Sequence, residues 1–304
     1  LIEKRYWFFA LSLLIIIPGL VAMGYSMVKY GAPWKLSIDF TGGAIMELRF
    51  EQRVLPSEVR QVFVDAGFTD TTVQTTLDEK TVLIRCKPLD AKTKKELQDK
   101  LREKFGPLEE LRYESVGPAI GKEVTRAATI AVIAASMVIL GYIVLAFRKV
   151  PNALRYGVCA IAAMVHDVLV ATGLFSIAGL VLGWEVDALF ITALLTVIGF
   201  SVQDTIVVFD RIRENLPRYR GEPFERVANR SILETIHRSL ATQLNAIFVM
   251  IAIILFGGET IRPFISTMLV GMLSGTYSSI FIAVPLVAVW ERAAAHRETA
   301  RATA

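Results

Sequence analysis

The sequence predicts a polytopic α-helical membrane protein: six transmembrane helices, with a small external α+β domain of ferredoxin-like βαββαβ order between helices 1 and 2. Three observations lead there. The 304-residue chain is 54% hydrophobic and has a mean hydropathy of +0.50, which soluble domains of this length rarely reach. Six apolar runs are each long enough, at about 20 residues, to cross a bilayer. Between the first two runs, residues 35–122 change to the mixed pattern of a folded α/β domain.

The runs cover residues 7–28, 127–147, 156–183, 186–209, 238–256 and 264–290. The first is long and is followed by no small-residue cleavage pattern, so it reads as a span and not as a signal peptide. The chain starts at Leu1 without Met, which leads us to expect a fragment, one half of a longer polypeptide, or a trimmed chain. Lys and Arg near the span ends set the orientation. Lys4 and Arg5 precede span one. Arg148, Lys149 and Arg155 lie between spans two and three, and Arg211, Arg213, Arg218, Arg220, Arg226 and Arg230 between spans four and five. Arg292, Arg297 and Arg301 follow span six. The opposite loops carry only Arg262. Both termini are therefore expected in the cytoplasm.

The expected organisation is span 1 within residues 1–34, the external domain at 35–122, and spans 2–6 within 123–304, with a cytoplasmic loop helix at about 211–237. In the fuller stretch EPFERVANRSILETIHRSL (222–240), Phe224, Ala228, Ile232, Ile236 and Leu240 share one face, as in a helix lying on the inner membrane surface. The net charge of +4 is modest and is distributed by membrane side, which argues against a nucleic-acid partner. The two cysteines, Cys86 and Cys159, fall in different compartments, so neither a disulfide nor a metal site is expected. No cofactor is expected either.

Within the external domain, GGAIMELRF (42–50) alternates like a strand. PSEVRQVFVDAG (56–67) has Pro at a helix start and Gly at its end. TTVQTTL (71–77) and KTVLIRCKP (80–88) read as strands joined by a tight Asp-Glu turn. TKKELQDKLREKFG (93–106) is an amphipathic helix closed by Gly106, and LEELRYESV (108–116) is the last strand. This order is the split βαβ arrangement. It carries no His and no Gly-rich phosphate loop, as suits a docking module. DFTGG (39–43) and VGPAIG (116–121) bracket it: Gly42, Gly43, Gly117 and Gly121 allow positive φ and Pro118 stiffens the second segment, so both read as hinges.

Polar residues inside the spans carry the functional argument. A central Asp costs roughly 2.5–3.5 kcal/mol on insertion scales, so such groups usually face the bundle interior. Asp204, with Gln203 beside it, lies about 10 Å from Arg211 along its helix, seven residues at ~1.5 Å each. His166 and Asp167 are adjacent in span three and point about 100° apart, so one can bond across the bundle while the other anchors its own loop. Arg238, Thr242 and Asn245 recur at i, i+4 and i+7 and form one polar stripe on span five. Arg238 is either a snorkelling residue at the span end or, with the stripe below it, an inward-facing partner. Ser274, Tyr277, Ser278 and Ser279 in span six read as packing glue, with Gly271 and Gly275 permitting close helix approach. A carboxylate kept from water and alternately paired with and parted from an Arg would bind and release a proton.

VGPAIG, VHDVLVATG, FSVQDTIVVFDRIREN and HRSLATQL, together with DFTGG, resemble SecF, the smaller half of the bacterial SecDF protein-export accessory of the resistance-nodulation-division superfamily. The resemblance covers about residues 1–290. It implies a component of the bacterial cytoplasmic membrane that uses the proton-motive force late in Sec-dependent export. The implied partners are a SecD half, the SecYEG translocon, unfolded preprotein and membrane lipid. It further implies that Asp204 and Arg238 couple protons, with His166 and Asp167 as the HD pair of span three, and with Gln203, Thr242 and Asn245 as supporting polar groups. A further carboxylate belongs to the SecD half, so the chain is not expected to conduct alone. Two departures stand out: Gln203 replaces the usual Asn, and span five reads Arg238-Ser239-Leu240-Ala241-Thr242-Gln243 in place of the usual pattern. No enzymatic turnover is expected. The alternatives are a small-molecule exporter half of the same superfamily, which the small external domain disfavours, and a passive membrane scaffold.

Overall fold

The alternation of Ala44, Met46, Leu48 and Phe50 puts four apolar side chains on one side of a strand, and the fold is built on that face. In the computed structural model, which describes residues 2–75, 79–147 and 153–302, they lie on β1 (Gly43–Phe50). β1 follows a one-turn helix α2 (Ile38–Thr41) that the periodicity does not predict. Then come α3 (Pro56–Asp65), β2 (Thr72–Thr75), β3 (Thr81–Cys86), α4 (Ala91–Phe105) and β4 (Leu108–Val116). The sheet order is β2-β3-β1-β4 and every pairing is antiparallel. Met46 opposes Ile84 and Leu48 opposes Val82. Val59 and Phe63 of α3 and Leu97, Leu101 and Phe105 of α4 close this face into one core. The expected βαββαβ order is observed. Residues 76–78, which include Asp78 of the expected turn, lie outside the described residues, as do Arg148 and Lys149.

Cys86 ends β3 and is buried. Burial pushes its thiol up to about 11. The folded thiol holds its proton more tightly than the unfolded one. The associated stability is therefore fully present below about pH 9 and is lost as pH rises toward 11. Because the thiolate is the nucleophile, Cys86 should alkylate about a hundredfold more slowly at pH 8 in the folded protein than after denaturation. Mass-spectrometric counting of maleimide adducts checks this, and equal rates in the two states would contradict it.

The segments bracketing the domain pack on each other. Gly42 and Gly43 do take positive φ, 72° and 138°. Gly117 and Gly121 do not, which corrects that part of the sequence expectation. Gly121 is glycine for a different reason: a Cβ there would lie 3.0 Å from both the Gly42 nitrogen and the Phe40 carbonyl oxygen. Gly42 in turn abuts Pro118, whose Cα would be 3.1 Å from an added Cβ.

Leu36–Thr129 form one compact unit and the long helices form another. The helices are α1 (Arg5–Tyr30), α5 (Pro118–Phe147), which starts in the first unit, α6 (Ala153–Val181), α7 (Ala188–Arg218), α8 (Phe224–Phe256) and α9 (Arg262–Ser278). α9 passes through a π-helical turn at Ser279–Ala283 into α10 (Val284–Ala302). Among the described residues they supply six helices long and apolar enough to cross a membrane, the last of them spanning Arg262–Ala294. α6, α7 and α9 pack on one another, α1 lies on α6, and α8 lies on α7 and α9. Close crossings rest on glycine: Gly19 meets Gly173 backbone to backbone, and Gly271 sits under Val197.

The expected separate loop helix is not formed. Residues 224–256 make one uninterrupted helix, because no Gly or Pro breaks the run. Its apolar face also has another destination: Ala228 and Ile232 are fully buried in the bundle core with Phe209 and Ile212, while Leu240 is exposed. Buried Asn215 ties the α7–α8 hairpin by donating to Ser231 Oγ at 3.0 Å and Glu234 Oε2 at 2.8 Å.

Candidate functional site

α6, α7 and α9 carry polar side chains, two of them carboxyl groups, into a largely apolar bundle. Asp167 on α6 has no exposed surface. Ser274 and Ser278 of α9 donate to its two oxygens, each at 2.6 Å. They are four residues apart and so share a helix face. His166 Nδ1 lies 3.0 Å from Asp167 Oδ1. The His ring turns toward Tyr277, centroid to centroid 6.0 Å, and its Nε2 is buried with no hydrogen-bond partner. Tyr277 donates to the Phe8 carbonyl at 2.7 Å, which ties α9 to α1. The pair thus acts on one network: Asp167 bonds across the bundle, and His166 contacts Asp167 and not a loop. Of the serines read as packing glue, Ser274 and Ser278 are hydrogen-bond donors to a buried acid, while Ser279 donates to the Thr276 carbonyl.

Gly275 joins this network to α7. A Cβ there would stand 3.3 Å from Ser201 Cα and 3.7 Å from Asp167 Oδ2. Ser201 is buried with its hydroxyl unpartnered. Three residues on, Asp204 is buried and accepts a 2.8 Å hydrogen bond from Gln243 Nε2 of α8. Gln243 is itself buried, and its Oε1 has no partner.

The stripe formed by Arg238, Thr242 and Asn245 is exposed. Among the described residues, Arg238 makes no side-chain hydrogen bond or ion pair. Gln203, beside Asp204, is exposed as well. The inward-facing reading of Arg238 is therefore corrected for this chain. The face of α8 that turns inward carries Ser231, Thr235, Ser239 and Gln243, all buried. Their strict four-residue spacing was visible in the sequence and competes with the Arg238 stripe about 100° away. Gln243 is the residue that sequence reasoning passed over.

Two buried acids thus lie on adjacent helices, Asp167 held by Ser274, Ser278 and His166 and Asp204 by Gln243. Six apolar spans, an antiparallel α/β domain inserted after the first, and carboxylates inside the bundle define a multi-pass membrane protein with polar groups at its centre. Comparison with known proteins narrows the class. Residues 96–293 match the family described as protein export membrane protein SecD/SecF, C-terminal, and residues 35–54 match the SecD/SecF GG motif. The chain is 50% identical over 295 residues to the protein translocase subunit SecF of Anaerolinea thermophila, covering 96% of this chain and 94% of that one. It is 46% identical to the subunit of the same name from Thermobaculum terrenum, covering 96% and 93%. The crystal structure of SecDF, a translocon-associated membrane protein from Thermus thermophilus, superposes with a TM-score of 0.79 at 34% identity, covering 96% of this chain and 38% of that longer one. The chain belongs to the SecD/SecF family of protein-export membrane proteins.

Proposed function

We propose that the chain is the SecF half of a SecD–SecF pair, and that it uses the proton-motive force to assist Sec-dependent export of preproteins. It works beside the SecYEG translocon on unfolded preprotein and transforms no substrate. It resides in the bacterial cytoplasmic membrane with both termini in the cytoplasm and the α/β domain on the far side, in keeping with the arginines at the α7–α8 hairpin end, Arg211, Arg213, Arg218, Arg220, Arg226 and Arg230.

One observation carries the reading: Asp204 is buried on a membrane-spanning helix. A carboxyl group retained there against its insertion cost is a functional group by default. A proton crossing the membrane potential supplies about 2.3 kcal/mol per 100 mV, enough to bias a two-state equilibrium by roughly fifty-fold. His166 and Asp167 extend the route through α6. Arg238, Gln203, Thr242 and Asn245 form the face that meets the SecD half, because an Arg left on lipid is costly. Gly42, Gly43, Gly117 and Pro118 are the hinge through which α5 passes a bundle movement to the domain, with Gly121 as the point of close contact against Gly42 and Phe40.

Preprotein translocation into energised vesicles, with and without the chain, tests this. The proton-gradient-dependent part of export should vanish without it, and an unchanged gradient dependence would defeat the proposal.

A further inference from the structure

Gln243 turns its side-chain amide nitrogen to Asp204. Its Nε2 donates to Asp204 Oδ2 at 2.8 Å, the arrangement an ionised acid requires. Its Oε1 is buried and has no partner. A protonated acid has the opposite need, because it offers an O–H. A half-turn about the last side-chain torsion exchanges the amide oxygen and nitrogen, and this sp3–sp2 torsion is soft. The oxygen then occupies the position 2.8 Å from the carboxyl group that the nitrogen now holds.

We propose that Gln243 is the positioning residue for Asp204 in both protonation states, donating to the carboxylate and, after amide rotation, accepting the hydrogen of the carboxylic acid. The inference rests on the proton-coupling reading of Asp204 and adds to it. The proton is taken up from water and resides on an Asp204 oxygen. Nothing else is transferred, and Gln243 stays neutral throughout.

The surroundings leave this role to Gln243. On the helices packed against α7, the titratable groups in the bundle interior are, among the described residues, Tyr156, Cys159, His166 and Asp167 on α6 and Tyr277 on α9; Tyr156 packs on Phe209 and Cys159 lies in the apolar core with it. His166 contacts Asp167 at 3.0 Å and Tyr277 donates to Phe8 at 2.7 Å. At the hairpin end, Glu234 of α8 is taken by Arg211, 2.5 Å away, and Asp210 by Arg213, also at 2.5 Å. Arg238 is exposed. An unsatisfied buried polar atom is costly, so the orphaned Oε1 calls for a donor, and a protonated Asp204 supplies one once the amide has rotated.

The test is an infrared pH titration of the SecD-bound chain in lipid, with the Asp204 band assigned by its loss in Asp204→Asn. In Gln243→Met, which keeps the side-chain volume, the carboxylic C=O band should move to higher frequency. The titration midpoint should rise by about one pH unit, close to tenfold in proton affinity, because the ionised form loses a charge-assisted donor. Gln243→Asn keeps the amide but withdraws it by one methylene and should give the same two shifts. A purely packing role would move neither. An unchanged band and midpoint in either folded variant overturns this inference alone. The absence of any band that Asp204→Asn removes overturns both the inference and the coupling function beneath it.

Discussion

Asp204→Asn, measured in the assembled SecD–SecF complex, is expected to remove the proton-driven part of preprotein export while leaving the complex folded. Asn has nearly the shape of Asp and can still accept the 2.8 Å hydrogen bond from Gln243, so helix packing has no reason to change. What it cannot do is bind and release a proton. At 100 mV the driving bias lost is roughly fifty-fold, so export should fall to its gradient-independent level. Arg238→Leu should have the same outcome by a different route. Arg238 is exposed and makes no side-chain hydrogen bond or ion pair among the described residues, so its removal leaves this bundle intact. On the reading proposed above, the loss falls on the face offered to the SecD half. The measurement pairs translocation in vesicles with size-exclusion profiles of the complex. Wild-type export in both variants would reject proton coupling and leave the buried acids as fixtures of helix register.

Gly271→Leu should prevent the bundle from closing. Even a single Cβ at this position collides with the Val197 side chain. Val is held in one preferred rotamer on a helix and cannot turn away. The remaining response is to part α7 from α9, and that acts directly on the site: Ser274 and Ser278, on the next turns of α9, donate to Asp167. Overpacking of this kind costs typically 1–3 kcal/mol and sometimes more, with the unpaired Asp167 adding to it. The expected result is a lower melting temperature in detergent and poor recovery of folded protein. Gly24→Leu is the control, since a Cβ at Gly24 meets nothing within 4 Å. Equal melting temperatures for the two variants would show that the α7–α9 contact is looser than this geometry.

Much of the architecture was legible in advance, for local reasons. Span count follows from runs of about 20 apolar residues, and the described residues contain six such helices. Strand and helix order in the domain follows from periods of 2 and 3.6, down to the Pro56 start and Gly106 end of its helices. Asp204 could be singled out because a carboxyl group in an apolar run is costly wherever the helix turns. The interruption placed between the loop helix and span five failed for an equally local reason. The chain changes from polar to apolar near Arg238, yet nothing there breaks a helix.

The identity of the partners was not legible. α8 carries two polar stripes, one through Arg238, Thr242 and Asn245 and one through Ser231, Thr235, Ser239 and Gln243. Sequence periodicity describes both equally well. Which one turns inward depends on what α7 and α9 present across the gap, and the structure buries the second. Gly121 carries the same lesson: its composition suggested a flexible backbone, and its neighbours Gly42 and Phe40 instead make it a point of close approach. The sequence by itself determined how many times this protein can cross a membrane, the order of its α/β elements and which acid is out of place in an apolar helix, because each is a property of a continuous stretch of chain. Only the tertiary structure decided that Gln243 holds Asp204 and that Ser274 and Ser278 hold Asp167, because a hydrogen bond between helices depends on their relative rotation, and that is set by packing.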